Sequence, residues 1–221
     1  MIVVTGGTGA LGQAVVARFL REGRRCAVPY IDAAEVDRFP HRDHVRLDEL
    51  DLANEEAVAG YYESLGTVEA SIHVAGGFAM GPVVETSLAE FERLFRLNAA
   101  TCFLCCREAV RTMRRGGGGR IVNVAARPAV VPTGGMIAYS TSKAAVASLT
   151  QSLAEEVRGD GILVNAVLPS IMDTPGNRAA MPDADHDQWP KVSEVAEAIA
   201  FLAGPTNALT SGALVPVYGR A

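Results

Sequence analysis

Tyr139 and Lys143 are the two residues of this sequence whose types and spacing best suit proton transfer. They stand at the two ends of the string Tyr-Ser-Thr-Ser-Lys, and residues at positions i and i+4 share one face of a helix. A free phenol has a pKa of about 10, and a nearby ammonium group lowers that pKa by favouring the phenolate. We therefore expect Lys143 to tune Tyr139 as a proton donor or acceptor for an atom that exchanges a hydride. An exposed tyrosine–lysine pair on a helix is the competing interpretation.

A glycine-rich string at residues 5–12 supplies an independent signal. Its sequence, Thr-Gly-Gly-Thr-Gly-Ala-Leu-Gly, follows a short apolar strand and opens an amphipathic helix. Glycines at such a junction allow a tight turn and a close approach of backbone N–H groups to a pyrophosphate, and the helix N-terminus adds positive potential. This arrangement is typical of a dinucleotide site. The residues predicted to contact the dinucleotide here are Gly6, Thr8, Gly9, Ala10, Leu11 and Gly12.

An acidic residue about 20 positions beyond this loop is expected to bind the adenosine ribose. Asp32 lies at about that distance, although Tyr30 occupies the tip of the strand, where the acid usually stands. No arginine replaces the acid to hold a 2′-phosphate, so the expected cofactor is NAD or NADP, with NAD favoured. Asp51 and Leu52, after the third predicted strand, are candidates for the adenine edge, although an aspartate in a turn is more often structural.

Short β-branched runs alternate with longer amphipathic stretches along the whole chain. This alternation predicts a parallel sheet with helices on both faces, whose ligands bind at the carboxyl ends of the strands. The predicted strands are residues 2–5, 25–31, 45–47, 70–74, 120–124, 163–168 and 213–217. The predicted helices are residues 11–22, 55–64, 88–115, 139–157 and 192–202.

Residues 170–191 are the one long irregular stretch, and they directly follow a predicted central strand. Loops of this length are usually functional or disordered, so we expect a lid over the substrate. No internal repeat or linker divides the chain, which predicts a single domain over residues 1–221.

Composition and charge restrict the partners that this protein is expected to have. The net charge of −5 and the pI near 5.4 disfavour nucleic acid. No apolar run is long enough to span a membrane and no signal peptide is recognisable, which predicts a cytoplasmic protein that acts on a small molecule. The pair Cys102 and Cys105 is interpreted as core thiols. His41, His44 and His186 lack metal-ligand spacing, and His73 is interpreted as structural, so no metal is expected.

Taken in chain order, these motifs resemble the short-chain dehydrogenase/reductase family along essentially the whole sequence. The matching features are residues 5–12, Asp51, Ala75-Gly76 after the fourth strand, Asn98, Tyr139-x-x-x-Lys143, Pro169 and Thr174. The resemblance implies an α/β fold with a single Rossmann-type, doubly wound parallel sheet of about seven strands. It also implies that Tyr139 and Lys143 contact the cofactor, with Lys143 holding the nicotinamide ribose, and that Asn98 positions a water linked to Lys143. Further implied cofactor contacts are Ala75, Gly76, Gly77, and Pro169, Ile171 and Thr174 around the carboxamide.

One departure from the family pattern bears on the substrate. The family has a serine 13 positions before the tyrosine, whose hydroxyl binds the substrate oxygen, and this chain has Ala126 there. Residues 74–78, 135–139 and 168–189 resemble quinonoid dihydropteridine reductases, which also have alanine at this position. Reduction of a quinonoid pterin spreads charge over a ring, so less localised oxyanion needs a hydroxyl. Phe78 would then stack on the ring, and Met181 belongs to the shared lid motif.

Three functions are therefore kept open. The first is NAD(P)H-dependent reduction of a quinonoid dihydropteridine or a similar conjugated heterocycle, with Tyr139 as proton donor. The second is an ordinary short-chain carbonyl reductase or alcohol dehydrogenase, and the third is a dinucleotide sensor without catalysis. The long helices at residues 88–115 and 139–157 predict a homodimer or homotetramer, because the family pairs their outer faces across a two-fold axis.

Overall fold

The computed structural model describes residues 1–220, which form a seven-stranded parallel sheet flanked by helices on both faces. The strands are β1 Ile2–Thr5, β2 Cys26–Tyr30, β3 Arg46–Glu49, β4 Ala70–His73, β5 Gly119–Val124, β6 Ile162–Pro169 and β7 Leu214–Val217. The α-helices are α1 Ala10–Arg21, α2 Ala33–Asp37, α3 Glu55–Ser64, α4 Leu88–Phe95, α5 Thr101–Gly116, α6 Ile137–Glu156, α7 Pro175–Ala180 and α8 Val192–Ala203.

The order of the strands places a ligand crevice near the middle of the sheet. The order is β3-β2-β1-β4-β5-β6-β7, so the chain winds outwards from β1 in one direction and restarts at β4 in the other. Adjacent βα loops diverge where the winding reverses, and ligands bind in the crevice that opens there. The glycine loop follows β1 and residues 74–78 follow β4, so both predicted cofactor segments border this crevice.

Two apolar cores cover the two faces of the sheet. Neighbouring residues of β1 point to opposite faces: Val3 packs in the core formed with α3, α5 and α6, and Val4 packs in the core formed with α1 and α8. Both residues are fully buried. The β-branched runs that marked the strands in the sequence are therefore explained by burial on both faces, as a parallel sheet requires.

The predicted elements are confirmed to within two residues at nearly every boundary, and three expectations need correction. The helix predicted over residues 88–115 is interrupted by a π-helical segment at Arg96–Ala100. The stretch 170–191 is less irregular than expected, because it contains α7 and a 3₁₀ turn at His186–Gln188. The short helix α2 was not expected, since five residues are too few to show helical periodicity.

Two further expectations can be compared with the structure. The four cysteines, Cys26, Cys102, Cys105 and Cys106, are buried and free, which confirms that the pair Cys102 and Cys105 belongs to the core. Among the described residues, no helix combines the length and the hydropathy that crossing a membrane requires.

Candidate functional site

The glycine loop forms a compact cradle that has no room for side chains on its inner surface. Gly6 has a φ of +65°, and a Cβ at this position would lie 2.7 Å from the backbone nitrogen of Ala75. A Cβ on Gly12 would lie 2.0 Å from the carbonyl oxygen of Gly6. The loop therefore has to be built from glycine at both positions. Its shape, next to the start of α1, fits the pyrophosphate of a dinucleotide.

The acidic residue that contacts this loop is Glu35, and the sequence did not reveal it. Thr8 Oγ1 donates a hydrogen bond to Glu35 Oε2. The predicted ribose ligand, Asp32, is exposed and caps α2 by accepting a hydrogen bond from the Ala34 nitrogen at 2.9 Å. No pattern pointed to Glu35, because its contact depends on the unexpected helix α2. The ribose role of Asp32 stays a prediction.

The adenine-edge candidates also have local roles. Asp51 Oδ1 accepts a hydrogen bond from the Ala53 nitrogen at 2.8 Å, which is the structural turn that the sequence left as an alternative. Leu52 packs partly buried against the core on the α3 side. Their contact with adenine stays a prediction.

Lys143 is buried between α6 and the end of β5. Its ammonium group donates a hydrogen bond to the carbonyl oxygen of Val124 at 2.8 Å. Burial penalises the charged form and lowers the pKa of Lys143 to about 8. At neutral pH the lysine therefore remains mostly protonated, although it releases its proton more readily than an exposed lysine.

The expectation that Lys143 lowers the pKa of Tyr139 is wrong for this structure. The pKa of Tyr139 is raised to about 12, because burial disfavours the phenolate. Tyr139 lies in the first turn of α6, and its ring packs edge-to-face against the ring of Phe78. The ring centroids are 4.9 Å apart and the ring planes are nearly perpendicular. Phe78 is itself 57% exposed, so a large part of its side chain is accessible to a ligand.

Asn98 ties the loop after β4 to α6. It lies in the π-helical segment, where it accepts a hydrogen bond from the Gly77 nitrogen at 2.9 Å and donates to the Gly77 oxygen at 3.0 Å. Its amide also donates to Ser142 Oγ at 3.0 Å. A Cβ on Gly76 would lie 2.4 Å from Asn98 Oδ1 and 3.3 Å from the Lys143 ammonium. The water predicted between Asn98 and Lys143 stays a prediction.

Ala126 is buried just after β5, two residues beyond the carbonyl that holds Lys143. No hydroxyl therefore stands at this position. The Ser142 hydroxyl is not free to replace it, because it donates a hydrogen bond to the Tyr139 carbonyl oxygen at 2.8 Å and accepts one from Asn98. The arrangement can supply a proton from the Tyr139 phenol without a hydroxyl from the end of β5.

The remaining predicted residues lie at the end of β6 and in the segment that follows it. Pro169 ends β6 and is buried, whereas Ile171 is exposed. Thr174 caps α7 by accepting a hydrogen bond from the Asn177 nitrogen at 3.1 Å. Met181 follows α7 as its C-terminal cap and is half-buried. Its substrate contact stays a prediction.

A cleft of about 170 Å³ opens beside the first turn of α6. Its walls include Met80, Gly81, Met136 and Ile137, with Glu90 as an acidic group. The Gly81 nitrogen donates to the Gly135 oxygen at 2.8 Å, which holds the loop after β4 against the segment before α6. The mouth of this cleft is rich in exposed apolar side chains, among them Met80 and Ile137.

The sheet, its glycine cradle, the buried Lys143 and the half-buried Tyr139 are the features of a nicotinamide-dependent oxidoreductase. The family profile described as short chain dehydrogenase matches residues 1–185. The chain therefore belongs to the short-chain dehydrogenase/reductase family, whose members use NAD or NADP, and the expected Rossmann-type fold is confirmed.

Relatives and solved structures cover almost the whole chain. The 2-(R)-hydroxypropyl-CoM dehydrogenase of Xanthobacter autotrophicus is 30% identical over 240 residues, which cover 98% of this chain and 96% of the relative. The structure of an NAD⁺-bound xylitol dehydrogenase has a TM-score of 0.91 at 25% identity and covers 99% of this chain and 97% of that chain. The NADP-bound structure of ElxO, with a TM-score of 0.92, 24% identity and coverage of 99% and 96%, supports the fold alone.

We predict that Lys143 makes stability depend on pH. Its pKa is about 8 in the folded protein against an ordinary value of 10.5, so between these values the unfolded chain binds more protons and stability rises with pH. Lys143→Met removes this contribution. The unfolding free energy of the native protein, measured by urea titration relative to Lys143→Met, should rise by on the order of 3 kcal/mol from pH 7 to pH 10.5. Lys191→Met, at an exposed position, is the control and should show no such rise.

Proposed function

We propose that this enzyme transfers a hydride from a reduced nicotinamide to a conjugated carbonyl or imine, and that Tyr139 delivers the proton. The observation that carries this proposal is the exposed Phe78 ring against Tyr139, beside a buried alanine at the position of the usual hydroxyl. A flat, delocalised acceptor suits an aromatic face and needs little help from a localised oxyanion donor.

The Tyr139 phenol rests in the protonation state from which reduction begins. With a pKa of about 12 the phenol keeps its proton at neutral pH, so it is ready to protonate an acceptor. Donation leaves a phenolate, and burial raises the free energy of that charged form. The Lys143 ammonium, held by the Val124 carbonyl, lies on the same helix face and offsets part of this cost without bringing the Tyr139 pKa below its ordinary value.

The bound nicotinamide would supply the hydride, and this chain supplies the binding surface. The glycine cradle receives the pyrophosphate, and Lys143 holds the nicotinamide ribose. Asn98 keeps Gly77 in place through two hydrogen bonds, so the loop after β4 borders the cofactor at a fixed distance from α6. The proposed cofactor contacts are Gly6, Thr8, Gly9, Ala10, Leu11, Gly12, Asp32, Asp51, Leu52, Ala75, Gly76, Gly77, Tyr139, Lys143, Pro169, Ile171 and Thr174.

A dihydropteridine in its quinonoid form is the first candidate substrate, because it combines a flat ring with a delocalised charge. A ketone of ordinary type is the second candidate. It is favoured by the names of the relatives, which include a 2-(R)-hydroxypropyl-CoM dehydrogenase and a D-threitol dehydrogenase of Mycolicibacterium smegmatis. The lack of a hydroxyl at Ala126 should limit the reduction of an ordinary ketone, and it should have little effect on the reduction of a quinonoid pterin.

NAD is the proposed cofactor, and Glu35 provides the reason. Its carboxylate bonds Thr8 of the glycine loop, at the side of the crevice where the adenosine half of the cofactor is expected. A 2′-phosphate placed near this carboxylate would be repelled, whereas a ribose hydroxyl could donate to it. Glu35 would thus act in the way that the sequence predicted for Asp32.

The proposed assembly is a homodimer or a homotetramer. Leu88, Phe95 and Phe103 are exposed along the continuous helical segment from α4 to α5, although they are large and apolar. Their spacing of seven and eight residues repeats about every two helical turns, so they form one stripe. A two-fold partner would cover this stripe from the water.

Tyr139→Phe is the direct test of the proton donor. The substitution keeps the aromatic ring against Phe78 and removes only the hydroxyl, so NADH affinity should change less than about threefold. Turnover with a freshly generated quinonoid dihydropterin should fall by about 10²–10⁴-fold. Stopped-flow absorbance of NADH reports turnover, and fluorescence titration reports binding. Full turnover by the variant would refute the role of Tyr139.

Ala126→Ser distinguishes the two substrates. If a delocalised acceptor is native, the variant should gain about tenfold or more in kcat/KM on simple ketones, because a hydroxyl now stabilises their oxyanion. Its activity on the quinonoid pterin should not rise. Ala125→Ser, at a buried neighbouring position, is the matched control. Equal native rates on ketones and pterin, without any gain in Ala126→Ser, would contradict the delocalised substrate.

Glu35→Gln tests the proposed cofactor preference. Removal of the carboxylate charge should raise kcat/KM for NADPH relative to NADH by about tenfold, which corresponds to about 1.4 kcal/mol. Asp32→Asn is the comparison variant, since Asp32 is the acid that the sequence alone indicates. A shift caused by Asp32→Asn and not by Glu35→Gln would assign the ribose contact to Asp32 instead.

A further inference from the structure

Three metal-ligating side chains meet in the interior, between the sheet and α5. They are His73 at the end of β4 and Cys102 and Cys106 on successive turns of α5. Their ligand atoms all lie within 4.8 Å of one another, and all three residues are buried. The proposed reaction uses none of these three residues.

One pair of donors in the cluster already has the separation expected around a single metal ion. Zinc–sulfur and zinc–nitrogen bonds of about 2.3 and 2.0 Å place neighbouring donors of a tetrahedral ion roughly 3.4–3.8 Å apart. Cys106 Sγ lies 3.5 Å from His73 Nδ1 and also 3.5 Å from Asn123 Oδ1. Asn123, on the strand that pairs with β4, also accepts a hydrogen bond from His73 Nδ1 at 2.8 Å, so its Oδ1 adjoins the cluster but must move slightly to share an ion with Nδ1.

A second set of contacts holds the imidazole in the orientation that a ligand needs. His73 Nε2 lies 2.8 Å from Ser71 Oγ, which in turn lies 2.7 Å from the hydroxyl of Tyr62. Histidines that bind metals characteristically donate their other ring N–H to such a partner, which directs the free nitrogen at the ion. In this structure Nδ1 donates to Asn123 Oδ1 at 2.8 Å and Nε2 accepts from Ser71. When an ion replaces the Nδ1 proton, Nε2–H donates to Ser71 and the Nδ1 lone pair faces the ion.

We propose that His73 Nδ1, Cys102 Sγ and Cys106 Sγ bind one thiophilic d¹⁰ cation, Zn(II) or Cu(I), with Asn123 Oδ1 as the nearest further donor. Thiolate and imidazole ligands favour these ions over Mg(II) or Ca(II). Binding forms two metal–sulfur bonds and one metal–nitrogen bond and releases the two thiol protons to solvent. The ring proton moves from Nδ1 to Nε2, and no electrons are exchanged.

The charges favour such an ion in a buried position. Two thiolates and a neutral imidazole carry a charge of −2, so Zn(II) gives a neutral site and Cu(I) leaves one negative charge. A neutral site avoids the large cost of burying a net charge. Because the ligands lie on β4 and α5 and are closed off from water, the ion would enter while these elements come together and would then exchange slowly.

The sequence could not indicate this site. The histidine lies 29 residues before the first cysteine, and the two cysteines are four apart, which matches no common metal motif. Only the packing of α5 against β4 and β5 brings the three side chains together.

Metal content of the full-length protein tests the proposal. The protein is expressed in medium supplemented with Zn(II) or with Cu(II), which cells reduce to Cu(I), and is then purified and passed through a chelating resin. Mass spectrometry of the metals should find about one equivalent of one of the two ions per chain, and the two media distinguish zinc from copper. Cys106→Ser should lose the ion, whereas Cys105→Ser, its buried neighbour outside the cluster, should keep it. Less than about a tenth of an equivalent from both media, or equal loss in the two variants, would overturn the proposal.

A second measurement on the native sequence avoids reliance on variants that fail to fold. The metal-loaded protein is alkylated during partial unfolding, and each cysteine is quantified by peptide mass spectrometry. Cys102 and Cys106 should react more slowly than Cys26 and Cys105, and a strong chelator should abolish the difference. Similar rates at all four cysteines, with or without the chelator, would show that no ion is held there.

Discussion

The desolvation of one ammonium group constrains the candidate active site. Lys143 lies in the interior, and removing its charge from water is costly, as its pKa of about 8 reflects. The Val124 carbonyl oxygen, at the carboxyl end of β5, offsets part of this cost through a hydrogen bond. This bond joins α6 to the carboxyl end of β5. Tyr139, one turn earlier on the same helix face, is therefore held at the edge where the crevice opens.

The π-helical segment between α4 and α5 positions another side chain of the candidate site. An extra residue in the turn at Arg96–Ala100 places the Asn98 amide where it can bond both Gly77 and Ser142. One side chain thereby joins the loop after β4 to α6, the two segments that must face each other across a ligand. π-Helical turns often occur at functional positions, because the widened turn changes the direction of a side chain. Gly76 has no side chain, since a Cβ would collide with the same amide.

Much of the fold could be predicted because the strands of a parallel sheet produce a recognisable local sequence pattern. Strands β1 and β6 are buried on both faces and are mostly apolar and rich in β-branched residues, and the glycine loop follows from the steric needs of its own backbone. Tyr139 and Lys143 share a face because of helix geometry alone. By contrast, the contact of Glu35 with Thr8 joins residues on α2 and the glycine loop, and no local pattern encodes it. The prediction that the Tyr139 pKa is lowered was wrong, because burial raises this pKa and burial depends on the packing of distant segments.

The sequence by itself determined the family and the order of the elements, and it predicted the proton-transfer pair, because each depends on residue types at short spacing. It also showed that Ala126 replaces the usual hydroxyl. Only the tertiary structure decided which side chains meet: Phe78 with Tyr139, Asn98 with Gly77, and His73 with two cysteines of α5. The physical reason is that hydrogen bonds, desolvation and metal coordination act over a few ångströms in space. Residues that lie far apart along the chain come within this range only after the sheet and its helices have packed.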